Sequence, residues 1–150
     1  MRLFNDQETT REILGAHRKW QRTLEAVSGA PDLPAGVMYS IGESLTYMRD
    51  QAASLATPYL VGRRRYHFVV AALSEGVCVE VAPKSELTAE GPYNNLSDRQ
   101  PFTGSGQVVQ LSAGALLIVD IDEAARILPT PASEAVLLHV TVEGATFHNK

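Results

Sequence analysis

The sequence contains a single cysteine, Cys78, among its 150 residues. One thiol cannot form a disulfide within the chain, and it cannot build the multi-cysteine sites that hold structural zinc. Cys78 alternates with valines in an apolar stretch, so we expect a buried free thiol rather than a nucleophile. This cysteine usage is typical of the reducing cytoplasm.

Long apolar runs and a strong excess of basic charge are also missing. No stretch approaches the ~20 apolar residues that span a bilayer. Residues 1–6 do not begin a secretory signal, because no apolar core follows Arg2. The net charge is −4, which gives no basic field for nucleic acid or an anionic membrane. We therefore expect neither of these as a partner.

Familiar catalytic motifs do not occur. The chain has neither of the glycine-rich phosphate loops, GxxxxGKS/T and GxGxxG, and no GxSxG elbow of an α/β-hydrolase. A metal site built on one strand commonly pairs two ligands at i and i+2. The histidines are instead widely separated, at His17, His67, His139 and His148. The sequence therefore offers no self-sufficient catalytic set.

The chain begins with one helical region, at about 6–28. Asp6 can cap the first helix, and the apolar residues that follow recur at helical spacings. Gly15 interrupts this pattern, which predicts two short helices that meet there. Trp20 is interpreted as a core anchor rather than a platform for a ligand.

After Pro34 the apolar period changes from 3.6 to 2, which is typical of β-strands. Alternating runs joined by short turns predict two hairpins, 36–41 with 45–50 and 66–73 with 77–82. Residues 84–106 form a long polar excursion with a short strand near 86–89, and such loops are often functional. Further strands are predicted over 107–111, 115–121, 124–128 and 135–142. The pattern predicts one domain over 1–150, mainly β, with a sandwich or jelly roll at about 35–145.

The second hairpin carries most of the polar groups that could form a pocket. Arg63 and Arg65 could bind a sugar acid or phosphate through bidentate contacts, or could belong to an exposed charge run. Tyr66 and Glu80 suit a surface that faces a sugar. His67 could pair with Glu80 across the hairpin, although a hydrogen-bonded histidine at a strand edge is the plainer interpretation. His67 and Glu80 are therefore catalytic candidates, and the arginines, the tyrosine and Glu80 are ligand-binding candidates.

Three carboxylates, Asp120, Asp122 and Glu123, follow a nearly continuous apolar strand. Paired carboxylates can carry out glycoside hydrolysis. The alternative is a salt-bridged strand end that faces water, with Arg126 close enough to neutralise one of the acids. Glu123 is the third catalytic candidate, and Arg126 and Tyr93 complete the ligand-binding candidates.

Several segments together resemble the YhcH/YjgK/YiaL (DUF386) family, and within it most closely the branch of small (beta) subunits of evolved beta-galactosidases. The similarity runs in register over essentially the whole chain, although no single motif is strong. The segments that carry it are Lys19-Trp20-Gln21-Arg22, Ser40-Ile41-Gly42-Glu43-Ser44-Leu45-Thr46-Tyr47, Gly62-Arg63-Arg64-Arg65-Tyr66, Ala82-Pro83-Lys84 and Phe147-His148-Asn149-Lys150.

The resemblance implies a cupin-like double-stranded β-helix. It also implies an accessory role, in which the small subunit associates with a beta-galactosidase large (alpha) subunit and supports its full activity in carbohydrate metabolism. The alternative that it implies is an independent sugar or sugar-acid anomerase (mutarotase). A sugar ligand would fit either role, and exposed strand edges leave room for a homodimer.

Other branches of this family are similar to anomerases that hold a metal or polar site in the barrel mouth. The positions that correspond to their ligands are Arg63, Phe68 and Ala125. Arginine stays protonated, and phenylalanine and alanine have no donor atom. We therefore expect no metal or other cofactor, and an anion is the alternative partner for Arg63.

Overall fold

The computed structural model describes residues 1–42 and 44–142. Glu43 and residues 143–150, which carry parts of the family resemblance, lie outside the described residues. The helices are α1 (Gln7–Leu14), α2 (Arg18–Gly29) and the single turn α3 (Ala52–Leu55). Asp6 Oδ1 accepts a hydrogen bond from Thr9 N at 2.7 Å, so the predicted cap and the two helices on either side of Gly15 are confirmed.

Twelve strands are found among the described residues. They are β1 (Arg2–Phe4), β2 (Tyr39–Ile41), β3 (Leu45–Gln51), β4 (Leu60–Gly62), β5 (Tyr66–Ala72), β6 (Val77–Pro83), β7 (Thr88–Ala89), β8 (Gln100–Thr103), β9 (Gln107–Leu111), β10 (Leu116–Val119), β11 (Glu123–Ile127) and β12 (Glu134–Thr141).

The strands form two six-stranded antiparallel sheets. Sheet A has the order β1-β10-β5-β12-β3-β2, and sheet B the order β7-β8-β4-β11-β6-β9. Eight of the strands (β3, β4, β5, β6, β9, β10, β11 and β12) can be counted one to eight in chain order. In this count, the order of the strands is 6-3-8-1 in sheet A and 2-7-4-5 in sheet B. This is the alternation of a jelly roll, so the predicted mainly β, cupin-like fold is confirmed.

One of the two predicted hairpins is wrong. The first is confirmed, because β2 pairs with β3. In the second, β5 and β6 lie at the predicted places but in different sheets: β5 pairs with β10 and β12, and β6 with β11 and β9. The turn at Gly76, with a φ of +87°, leads from one sheet to the other. Turn chemistry is local and does not distinguish a hairpin from such a crossing.

Both faces of sheet A are buried. Its inner face meets sheet B in the barrel interior, where Val70 and Leu117 pack in one core with Val79. Its outer face packs against the helices through a second core that contains Trp20. Trp20 is 5% exposed, which confirms its predicted role as a core anchor.

Sheet B has a thinner cover on its outer face. Leu60, Phe102 and Ala124 form a small core there, with Leu87 packed against it. Cys78 is half-buried, whereas the sequence predicted a buried thiol, because its neighbours on β6 occupy the inward positions. None of the helices in the described ranges is long and apolar enough to cross a membrane.

Candidate functional site

The long excursion closes over the arginine segment through Asp98. Asp98 is 3% exposed and has a φ of +54°, a conformation that aspartate tolerates better than most residues. Its carboxylate accepts hydrogen bonds from Arg64 N at 2.8 Å, from Arg65 N at 3.1 Å and from the Tyr93 hydroxyl at 2.5 Å. We call this set, together with Asn95, the arginine clasp.

The side chains of two arginines take part in this clasp. The Arg65 guanidinium donates to the carbonyl of Asn95 at 2.8 Å. The Arg64 guanidinium lies over the Tyr93 ring, 4.0 Å from its centroid. Arg65 and Tyr93, both predicted to bind a ligand, are therefore used to hold the excursion against the segment that precedes β5.

Arg63 turns the other way, into the barrel. Its side chain is 6% exposed, and its guanidinium carbon lies 4.4 Å from the centroid of the Phe68 ring. Phe68 belongs to the interior core and is paired in register with His139 of β12. The Phe68 and His139 rings are 5.9 Å apart. With Arg99, which follows Asp98, these residues form what we call the barrel-mouth cluster: Arg63, Phe68, Arg99 and His139.

The charges of the barrel-mouth cluster affect one another. Burial, together with the charge of Arg99, lowers the pKa of Arg63 to about 9, although Asp98 opposes the shift. Burial also lowers the pKa of His139 to about 3, with further contributions from Arg63 and Arg99. At neutral pH the cluster therefore contains two charged arginines and a neutral imidazole.

The Arg63 guanidinium makes no hydrogen bond or ion pair within residues 1–42 and 44–142. Asp98 carries the nearest opposing charge, but its oxygens are occupied by the donors of the arginine clasp. Among the described residues, Arg63 is thus a buried cation whose contact is an aromatic ring rather than an anion.

The positions expected from the family to hold a metal do not fit one here. Arg63 and Phe68 contact each other, and Ala125 is paired with Val61 on β4, 1% exposed. A metal site needs three or more converging donors, whereas the barrel-mouth cluster offers one, His139. The donor chemistry of the cluster suits an anion better than a cation.

Glu80 lies on the outer face of sheet B. Glu80 Oε1 accepts from Arg126 Nε at 2.7 Å, and Oε2 accepts from Gly106 N at 2.9 Å. Burial raises the pKa of Glu80, but the hydrogen bonds from Gly106 and Arg126 outweigh it and hold the pKa below its usual range. Arg126 also donates to the carbonyl of Pro58. The expectation that Arg126 neutralises one of the acids at 120–123 is wrong, because its partner is Glu80.

His67 lies far from Glu80, on the outer face of sheet A. Its ring is 5.8 Å from that of Trp20, and its Nδ1 is 3.6 Å from Asp120 Oδ1. Burial and the nearby Lys19 lower the pKa of His67, with Asp120 opposing them. The possible pairing of His67 with Glu80 is not found, because β5 and β6 lie in different sheets.

The carboxylates of Asp120, Asp122 and Glu123 do converge, with ligand atoms within 4.8 Å of one another. Two of them already contact a cation: the amino group of Met1 lies 2.8 Å from Glu123 and 3.5 Å from Asp120. The cluster is half-buried or exposed. It matches the salt-bridged strand end that the sequence left open as the alternative to catalysis.

The remaining candidate, Tyr66, starts β5 and shares its inward face with Phe68 by strand alternation. Three residues of this region were missed from the sequence: Asp98, Arg99 and His139. His139 could have been found, since it continues the inward alternation of Ala135 and Leu137. Asp98 and Arg99 could not have been found, because no sequence pattern sets them apart from the other polar residues of the excursion.

Comparison with known proteins finds solved structures that are similar to this chain. No protein-family model matches the chain. The chain is similar to a cupin protein from Bacteroides fragilis, with a TM-score of 0.44 and 12% identity over 75% of this chain and 82% of that one. It is also similar to a domain of CENP-C from Drosophila melanogaster, with a TM-score of 0.36 and 15% identity over 71% of this chain and 72% of that one. The jelly-roll assignment therefore rests on the strand order itself.

Proposed function

We propose that this protein is a cytoplasmic accessory small (beta) subunit that binds the large subunit of a beta-galactosidase and supports its activity. The resemblance of the sequence to such subunits over essentially its whole length supports the proposal. The structural observation that carries it is the contact between Arg63 and Phe68, at two positions that correspond to ligand positions in branches of the family that the sequence resembles. Neither side chain offers a donor atom suited to a metal, which supports a role beside a catalytic partner.

The positions of the catalytic candidates also favour a supporting role. His67 and Glu80 lie on the outer faces of different sheets. Glu123 contacts the amino group of Met1 and accepts a hydrogen bond from Asp120 N at 3.1 Å. Acid–base catalysis needs groups within reach of one substrate atom, and His67 and Glu80 face away from each other.

The proposal is tested by expressing the chain with a tagged beta-galactosidase large subunit. We expect the two chains to elute together and lactose hydrolysis to be faster than with the large subunit alone. The matched control is the large subunit produced with an unrelated jelly-roll protein of similar size. Separate elution together with unchanged kinetics contradicts the proposal.

A second candidate is an independent sugar anomerase, and the barrel-mouth cluster is what favours it. Arg63 and His139 place a cation and a neutral imidazole inside the barrel, and ring opening of a sugar needs a proton donor and an acceptor. The test is exchange NMR of galactose and of sialic acid with the isolated chain. Faster exchange that is lost in His139→Gln supports this candidate, whereas no acceleration excludes it.

A further inference from the structure

The two sheets end in edge strands of unequal length. These edges are β1 and β2 in sheet A, and β7 and β9 in sheet B. β1 and β2 have three residues each and β7 has two, whereas β9 has five. Within residues 1–42 and 44–142, β9 pairs with β6 alone, so its other side is open. β9 is therefore the longest open edge of the described fold.

β9 also lacks the features that usually protect an edge strand. Natural proteins block edge pairing with lysine and other charges, with proline or with a very short strand. Residues 100–119 contain no charged residue, although 20% of the chain is charged. By contrast, β1 carries Arg2, and Glu86 and Glu90 lie on either side of β7. The edge at β9 is thus free of charges that would repel another strand.

The hydrogen bonds of β6 show which backbone groups of β9 face the open side. The carbonyl of Cys78 accepts a hydrogen bond at 2.9 Å from the N–H of the residue that follows β11, so the backbone groups of Cys78 face β11. Because such groups alternate along a strand, those of Val79 face β9, where Val109 is its partner in register. The N–H and C=O groups of Val108 and Gln110 therefore point to the open side.

The side chains of β9 are uncharged on both faces of sheet B. Val109 packs against the interior core, and Leu111 belongs to it. Val108 is in register with Glu80 and lies on the outer face, as Gln110 does by alternation. Val108 is 55% exposed. β-Branched side chains suit a pleated, half-buried surface, and a neighbouring strand would provide that cover.

A second copy of the chain fits this edge. When Val109 lies opposite Val109 of the second copy about a two-fold axis, Val108 lies opposite Gln110 of that copy, and these two residues exchange N–H···O=C hydrogen bonds. The central valines then form a non-hydrogen-bonded pair, in which side chains approach most closely. A two-fold contact brings one surface against itself. Charges at this edge would therefore repel their own copies, and β9 has none.

We propose that the protein forms an antiparallel homodimer through β9, in which the two copies of sheet B join into one continuous sheet. This interface is separate from the barrel mouth, and it does not depend on the proposed subunit role. Each strand contributes five residues, whereas standard interfaces use about 20–30 residues a side. We therefore expect a reversible dimer with a dissociation constant in the micromolar range.

The test is analytical ultracentrifugation of the isolated full chain from low micromolar to submillimolar concentration. We expect a reversible equilibrium between monomer and dimer. Gln110→Pro removes an N–H that points to the open side, so it spares the pairing with β6. Each dimer loses two hydrogen bonds, and we expect dimerisation to weaken by about tenfold or more. The matched control is Gln110→Ala, which keeps the N–H and should dimerise as the unchanged protein does.

Charged substitutions test the register of the two strands. Val108→Lys places a charge at the edge, and we expect it to weaken dimerisation. Adding Gln110→Glu to the same chain should restore dimerisation, because residue 108 of one copy lies opposite residue 110 of the other and opposite charges attract there. The control is Leu3→Lys on the edge strand β1, where Leu3 is 43% exposed. It should leave dimerisation unchanged.

Three outcomes overturn the proposal. The first is a monomer at every concentration, which is the result expected if β9 pairs only with a strand of a different protein. The second is dimerisation that Gln110→Pro and Val108→Lys leave unchanged, and the third is a Val108→Lys defect that Gln110→Glu does not restore. Circular dichroism shows which variants fold. If Gln110→Pro does not fold, Val108→Lys with and without Gln110→Glu decides the question.

Discussion

Glu80 and Arg63 are charged residues buried to a similar degree, 8% and 6% exposed, on opposite faces of the same region. Glu80, on the outer face of sheet B, has a partner for each carboxylate oxygen in Arg126 and Gly106. Arg63, in the barrel mouth, contacts an aromatic ring and makes no ion pair with another described residue. Asp98, the acid that acts on its pKa, accepts hydrogen bonds from other donors. The two side chains have similar solvent exposure, but only Glu80 has hydrogen-bond partners for its charged group.

This difference in hydrogen-bond partners marks Glu80 as a structural residue and Arg63 as a candidate functional residue. A buried charge with complete hydrogen bonding holds chain segments together, as Glu80 does for β6, β11 and the turn at Gly106. A buried charge without a partner costs free energy, which makes its position a candidate functional site. Sequence reasoning placed Glu80 and Arg63 in one pocket, and the structure assigns them different roles.

Asp98 holds the backbone next to Arg63 in place, so replacing it should reduce the stability of the protein more than the other substitutions do. In Asp98→Ala, the N–H groups of Arg64 and Arg65 lose their acceptor, and we expect the free energy of unfolding to fall by about 3 kcal/mol. The measurement is urea unfolding. The control is Asp122→Ala at an exposed position, with an expected change within about 0.5 kcal/mol. Equal effects of the two substitutions would show that the arginine clasp is not a stabilising unit.

The second prediction compares the two buried charges directly through the same replacement. Glu80→Met leaves Gly106 N and Arg126 without their acceptor, and we expect a loss of about 2 kcal/mol. Arg63→Met removes an uncompensated charge, and we expect no loss or a gain of about 1 kcal/mol. Urea unfolding measures the free energy of unfolding of both variants. The contrast fails if Arg63→Met destabilises the protein as much as Glu80→Met does.

The third prediction is a dependence of stability on pH through His139. Its pKa is about 3 in the folded protein and 6.5 in the unfolded chain, so the unfolded state takes up the proton first as the pH falls. His139 therefore lowers the free energy of unfolding as pH falls from 6.5 towards 3, by up to about 1.4 kcal/mol per pH unit. His139→Gln should remove the contribution of His139, and the slope that remains has the sign expected for His67, whose pKa is also lowered in the folded protein. Unfolding measured from pH 7 to 5 avoids the range in which Glu80 titrates.

The acid limb of the same experiment separates Glu80 from His139. The pKa of Glu80 is held below its usual value of 4.5 in the folded state, so its contribution is present above pH 4.5 and is lost as pH falls through the lower folded value. This loss should persist in His139→Gln. If the two proteins have equal slopes between pH 7 and 5, His139 is not buried in the neutral form.

Much of the architecture could be predicted from the sequence. Asp6, Gly15 and the spacing of apolar residues defined the two helices, and alternation defined strands such as β5, β6 and β12. These signals are local, because capping, helical periodicity and strand alternation depend on residues close in the chain. The pairing of β5 and β6 was predicted wrongly, since partners in a sheet depend on the whole chain.

The candidate site was predicted only in part for the same reason. Arg63 was predicted to line a pocket, and the family resemblance led to the expectation that it stands at the position of a metal ligand. His139, Asp98 and Arg99 are far from Arg63 in sequence, and only the fold brings them together. Which face of a strand is interior, and which acid already has donors, depends on contacts that no local pattern records.

The sequence by itself determined a mainly β protein with a helical beginning, because hydrophobic periodicity and turn chemistry act over a few residues. The tertiary structure decided how its charges are used. It paired Glu80 with Arg126 outside the barrel, used Asp98 to hold Arg64 and Arg65 from the excursion, and left Arg63 inside against Phe68. The energy of a charge depends on its solvent exposure and on nearby partners, and both are fixed only when distant segments pack together.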